Sequence, residues 1–144
     1  MARIKLVELE NYAFHYAAML EPRDINPAGH LGNDSLVTLV GSARAYVFHS
    51  LGLSQGNLGD GATGIIMSDL AVNYRAEAFM FDEIVIDTHF GEFSRSAFRA
   101  FHRVRKGEVI VALAESGLVT FDYRTRRIAP VPKEFLKALA GQGL

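Results

Sequence analysis

The sequence predicts an α+β fold: one leading strand, one long helix, then a run of antiparallel strands. Three observations predict it. Apolar residues recur at three- and four-residue spacing between Asn33 and Leu51, the stripe of a helix lying on a core. Four stretches rich in β-branched and aromatic residues follow a glycine-rich segment. Lys106-Gly107 joins the last two of them, as a tight hairpin does.

Residues 11–20 read as a first strand or extended segment. Residues 21–32 carry Pro22, Asn26, Pro27, Gly29 and Gly32, which is turn chemistry. Leu36, Val40, Ala43, Val47 and Leu51 then form the helical stripe, with Asn33 or Asp34 as N-cap and Gly52 as the C′ stop. At 1.5 Å per residue that helix is about 28 Å long. Residues 52–64 hold five glycines and read as a flexible loop. Their spacing is not that of a phosphate-cradling loop, so no nucleotide role is expected. Strands are expected at 65–74, 83–91, 96–105 and 108–121. In the second of these, Ile84, Ile86, Thr88 and Phe90 share one face, and Glu83, Val85, Asp87 and His89 the other. Residues 109–114 are apolar on both faces, so both faces should be covered there. The tail reads as a short helix beginning at Pro132. Phe48, Phe79, Met80 and Phe81 could line an apolar tunnel, but core packing is the expected job for them. One long helix cannot cover both faces of such a sheet, and a second subunit is the economical cover.

The 144 residues fit one domain, 1–144, long enough for a core without disulfides or metal. Hydrophobic residues at 49% and charged residues at 22% are an ordinary globular balance, which argues against disorder. A net charge of -1 supplies no field to recruit nucleic acid or membrane. The absence of cysteine excludes thiol nucleophiles, cysteine metal sites and disulfides together. His15, His49, His89 and His102 lack metal-ligand spacing, and no H-E-x-x-H occurs, so no metal is expected. No signal-peptide core follows Met-Ala-Arg-Ile-Lys, and no apolar run reaches the roughly 18 residues that span a bilayer. The expectation is a soluble cytoplasmic protein.

The stretch Asp24-Ile-Asn-Pro-Ala-Gly-His-Leu-Gly-Asn33 resembles the D-x-D-x-x-G-H-x-N-N signature of 4-hydroxybenzoyl-CoA-thioesterase-like hotdog proteins. Ala43-Arg44 within the helix, Leu51-Gly52-Leu53 at its end, Tyr74 closing a strand and the run from Phe121 to Phe135 are similar to that family too, in order along nearly the whole chain. The resemblance implies a hotdog fold, a five-stranded antiparallel sheet wrapped around one long helix. It implies a homo-dimer or homo-tetramer with sites at subunit interfaces. It further implies an acyl-CoA thioesterase, which hydrolyses a thioester of coenzyme A or a similar pantetheine carrier. Coenzyme A is then part of the substrate, and no separate cofactor is expected.

Thioester hydrolysis needs a donor for the carbonyl oxygen, a base or nucleophile that delivers oxygen, and a groove for the carrier. The turn from Gly29 to Asp34 precedes a helix N-terminus, whose backbone N–H groups carry partial positive charge. Gly29 could let backbone approach a substrate, or could only shape the turn. In the resembling enzymes the second acid of D-x-D is the catalytic carboxylate. Here that position is Asn26, whose neutral amide can hold water or donate to an oxyanion but is neither base nor nucleophile. The superfamily's other branch uses a glutamate on the long helix, and residues 33–51 contain none. His30 and Asp34 are the candidates to replace the acid. Histidine titrates in the range that suits proton transfer, and a first-turn aspartate is favoured as the anion by the helix dipole. Asp34 fits a capping role equally well, and Asp24 reads as structural. Asn33 could cap or bind substrate, and Tyr74 matches a family tyrosine. In the resembling enzymes, basic and hydroxyl residues at the strand start hold coenzyme A phosphates, which points to Arg95 and Ser96. Arg103 and Arg105, farther along, read as a solvated basic face.

Two other readings share these residues. With an amide at Asn26 the chain could bind an acyl-CoA or acyl-carrier thioester without turning it over. Asp24-Ile-Asn-Pro followed by His30 also resembles the D-x-N-P-[aliphatic]-H motif of R-specific enoyl-CoA hydratases, with a spacing one residue too long.

Overall fold

The computed structural model describes residues 2–142. In chain order the elements are β1 (Phe14–Met19), α1 (Asn33–Ser50), β2 (Thr63–Tyr74), β3 (Glu83–Gly91), β4 (Ala97–Lys106), β5 (Val109–Asp122), β6 (Arg127–Ile128) and α2 (Lys133–Ala140). All pairings are antiparallel, in the order β1-β3-β4-β5-β2, and the two residues of β6 add to β5.

The helical stripe and the strand alternation meet as expected. Leu36, Val40 and Ala43 of α1 pack with Ile84, Ile86, Val104, Ala112 and Ala114 of the sheet. Val47 and Phe48 pack with Phe90 and Phe98. Burying each large side chain of this kind stabilises the fold by about 1.5–3 kcal/mol. Phe135 of α2 closes the end of this second cluster, its ring 5.2 Å from Phe98 and 5.8 Å from Phe48. Residues Val111 to Ala114 are buried without alternation, so both faces of β5 are covered there.

The ends of α1 divide between expectation and correction. Neither Asn33 nor Asp34 is the N-cap. Gly32 holds that place in extended conformation, and no side chain caps the helix. The reason is local: the Asn33 side chain already accepts the Asp34 amide at 3.0 Å. At the other end Gly52 stands in the left-handed region at φ 73°, the C′ stop expected of it. Nothing lies within 4 Å of a Cβ added there, so the cost of a side chain is conformational only. Gly52→Ala should therefore destabilise by about 1 kcal/mol, read as a lower denaturant midpoint with unchanged slope.

Residues 53–62 are not the free loop their glycines suggested. Asp60 accepts the amides of Ala62 and Thr63, Ile65 donates to the Gln55 carbonyl at 2.8 Å, and Leu58 is fully buried. Phe79, Met80 and Phe81, expected in the core, are exposed in the turn before β3, where Phe81 adopts φ 68°.

The outer sheet face corrects a second expectation. Arg103 and Arg105 do not form a solvated basic face. Both donate to Asp87, whose side chain is 0% exposed, at 2.7 and 2.8 Å. The segment before β1 crosses this face: Glu8 pairs with Arg103, and Asn73 hydrogen-bonds the backbone of Ile4 and Leu6. At the sheet edge, β2 exposes Ile66 to Leu70, a run centred on Ser68 and on the bulge between Met67 and Asp69. Among the described residues no helix is long and apolar enough to cross a membrane.

Candidate active site

The turn chemistry ahead of α1 builds a small, well-tied platform. Asp24 is buried and its carboxylate accepts the Glu21 amide at 2.8 Å, while its carbonyl accepts the Gly32 amide at 2.9 Å. That is the structural role expected of Asp24. Asn26 organises the next turn. Its side-chain oxygen accepts the amides of Ala28 at 3.0 Å and His30 at 3.3 Å, and Gly29, at φ 90°, completes the bend. Only an oxygen can take two N–H donors, which fixes the amide's orientation. The Asn26 Nδ2 is therefore the group left over, with no partner among the described residues.

His30 is oriented by its own neighbour. Its Nδ1 lies 3.2 Å from the Leu31 carbonyl, which can only accept, so Nδ1 carries the proton and Nε2 presents a lone pair. Leu31 in turn donates its amide to Ala78 at 2.7 Å, tying the segment after β2 to the helix head. Tyr74 donates its hydroxyl to the Asn33 carbonyl at 2.9 Å.

These ties enclose a cavity of about 660 Å³ lined by Asn26, His30, Leu31, Asn33, Tyr74, Arg75, Ala76 and Glu77. Four of the expected residues therefore meet: Asn26, His30, Asn33 and Tyr74. Asp34 does not line the cavity but stands beside it. A Cβ on Gly32 would lie 2.8 Å from its carboxylate oxygen and 3.6 Å from the Asn26 Cβ. Burial pushes the Tyr74 hydroxyl's pKa up, and the Asp34 charge adds to that. The Asn33 amide has no hydrogen-bond partner among the described residues, as the first turn of a helix leaves it.

Arg95 and Ser96 are not part of this cavity. They precede β4, where Ala97 pairs with Val119, whereas Tyr74 sits at the Val104–Ala112 end. Seven residues of strand separate the two ends, about 23 Å. Arg75 and Glu77 are the charged lining residues that sequence reasoning missed. Their signal is positional only: they follow Tyr74 directly, and both amides of Arg75 and Ala76 donate to the Val111 carbonyl, turning the chain toward the helix head. Among the described residues no three metal-ligating side chains converge.

An antiparallel sheet of five main strands, with the two-residue β6 added, carried around one long helix with a cavity at the helix head is the hotdog architecture. Solved structures share it at low identity and so show the fold. The 1,4-dihydroxy-2-naphthoyl-CoA thioesterase of Synechocystis superposes with a TM-score of 0.79 at 19% identity, covering 88% of this chain and 95% of that one. A gentisyl-coenzyme A thioesterase gives 0.76 at 18%, covering 87% and 98%. A thioesterase from Thermus thermophilus, complexed with coenzyme A and Zn, gives 0.78 at 22%, covering 93% and 96%. No curated protein matches the chain by sequence. The model of the thioesterase-like superfamily matches residues 20–139, and the chain belongs to that superfamily.

Proposed function

We propose that the chain hydrolyses an acyl thioester of coenzyme A to a free acid and thiol, at the cavity on the head of α1. The observation that carries this reading is that one cavity is lined by His30, with its Nε2 lone pair free, by Asn26, with its Nδ2 unused, and by Asn33, with a free amide at the positive end of the helix. The thioester oxygen accepts from the Asn33 amide and Asn26 Nδ2 as negative charge develops on it. His30 Nε2 takes a proton from water as the water oxygen attacks the carbonyl carbon, and returns it to the departing sulfur when the C–S bond breaks. Coenzyme A enters as substrate, and the chemistry needs no further cofactor.

The assembly we propose is a homo-dimer formed edge to edge along β2. Its middle exposes Ile66, Met67 and Leu70, and an unpaired apolar edge is a template for another strand. A two-fold axis near Ser68 would set the Tyr74 end of one β2 beside the Thr63 end of the other. Ser96 accepts the Thr120 amide at that second end, so Arg95 and Ser96 of one subunit would face the cavity of its partner. In this arrangement they can hold the coenzyme A phosphates that the single chain places out of reach.

The amide at Asn26 favours a second reading, binding without turnover. Thiol release from a panel of short, long and aromatic acyl-CoA thioesters separates the two, with Asn26→Asp alongside. A carboxylate at this position keeps the acceptor for Ala28 and His30 and adds a base, so the variant should fold normally and raise kcat by about tenfold or more. Turnover by the wild-type chain supports the hydrolase. A silent wild type with an active Asn26→Asp variant supports the binder, and silence from both removes the hydrolase reading.

A further inference from the structure

We infer that Arg44 forms an anion site and that, in the β2-paired dimer, it receives a carboxylate at the remote end of an acyl group whose thioester sits in the partner's cavity; this rests on the hydrolase reading and the dimer above. The other arginines set into this sheet each have acids. Arg99 reaches Asp69 and Glu115, Arg103 reaches Asp87 and Glu8, and Arg105 reaches Asp87. Arg44, on the sheet side of α1, forms no ion pair among the described residues. Its single side-chain partner is the neutral Gln55, which accepts from Nε at 2.9 Å. Both terminal nitrogens therefore keep their donors, in the fork that matches a carboxylate. Burial pulls the guanidinium's pKa below its ordinary value, the mark of a cation held out of water without a compensating charge. Such a group is costly unless an anion arrives.

The surroundings give that anion a shape. Arg44 lines a cavity of about 290 Å³ with Gln55, Gly56, Ile65, Met67, Leu118 and Tyr123, so the charged donor sits beside the apolar side chains of Ile65, Met67 and Leu118. Its Nη2 lies 3.8 Å from where a Cβ on Gly41 would stand. Ile65 and Met67 lie toward the Thr63 end of β2, the end that the proposed two-fold axis sets beside the partner's cavity. His102 Nε2 is fully buried without a hydrogen-bond partner among the described residues, and the Arg44 charge adds to the burial that holds the His102 pKa at about 3. A carboxylate-ended chain can lay its methylenes on Ile65, Met67 and Leu118 and its charge on the free guanidinium, whereas a methyl-ended chain would leave the cation unpaired.

The test uses pairs of non-hydrolysable coenzyme A thioethers of equal length, one ending in carboxylate and one in methyl, with binding measured by calorimetry. The 144-residue chain should bind the carboxylate-ended member at least about tenfold more tightly. Arg44→Met should bring the pair within about twofold of each other, and Arg44→Lys should keep part of the preference, which separates lost charge from lost folding. Equal affinities in the wild type, or a preference that survives Arg44→Met, overturns the site. So does a dimer that dissociates on Arg44→Met without any carboxylate preference, because a second copy's acid then occupies the guanidinium. Thiol release from matched thioesters, run alongside, keeps the two claims apart. Hydrolysis without carboxylate preference removes the anion site alone, and preference without hydrolysis removes the hydrolase alone.

Discussion

His30→Ala should lower kcat for acyl-CoA hydrolysis at least about a hundredfold while KM changes less than about threefold, the pattern of a group that acts in the transition state. The imidazole is placed for this by two local bonds. Asn26 accepts the His30 amide, and the Leu31 carbonyl accepts Nδ1–H, so Nε2 is left as the acceptor on a residue that lines the cavity. His30→Gln is the sharper variant. Its side-chain amide can still donate to Leu31 but cannot take a proton, so it should be as slow as alanine. A glutamine variant with near-normal kcat would reduce His30 to a positioning residue and sink the base assignment. The residue is only half-buried and outside both core clusters, so thermal midpoints of both variants should stay close to wild type. A large drop in midpoint would mean that lost activity reports lost folding.

Much of this framework was legible because it rests on periodic burial. The stripe from Leu36 to Val47 and the alternation from Ile84 to Phe90 are direct records of which face meets the core, and both are buried as read. Gly52 was legible because only a left-handed residue ends a helix in this way. The turn residues Asn26, His30 and Asn33 came from a motif rather than a period, and the structure brings them to one cavity with Tyr74. What the sequence hid is non-local. Nothing in the order of residues 2–12 says that they cross the outer sheet face, so the acids and carbonyls that meet Arg75 and Arg103 could not be foreseen. Gly32 took the N-cap because the Asn33 side chain was already engaged by the next amide, a competition visible only in three dimensions. Arg44 shows the same limit from the other side: its lack of an ion pair among the described residues is a property of the fold, not of the helix that carries it.

The same blindness covers Asp87, whose replacement should produce the largest loss of stability outside the aromatic core. Asp87→Asn should destabilise the chain by about 2–3 kcal/mol, which for a domain of this size lowers the thermal midpoint by several degrees. Asp87 is 0% exposed and accepts from Arg103 at 2.7 Å, Arg105 at 2.8 Å and His15 at 2.6 Å. Removing one member of a fully buried pair costs about 3–5 kcal/mol. Here the arginine side chains are 24% and 32% exposed and can turn partly to water, which moves the cost toward the lower end. The pH dependence gives a second readout. Burial alone would raise the Asp87 pKa, but the hydrogen bonds from Arg105, His15 and Arg103 outweigh it and hold the carboxyl below its ordinary value. A carboxylate depressed in the folded state stabilises above its unfolded pKa of about 3.9 and loses that contribution as pH falls through the lower folded value. The gap between wild type and Asp87→Asn should therefore be full at neutral pH and shrink below about pH 4. A gap that stays constant down to acid unfolding would show that Asp87 contributes by packing and neutral hydrogen bonding rather than by charge.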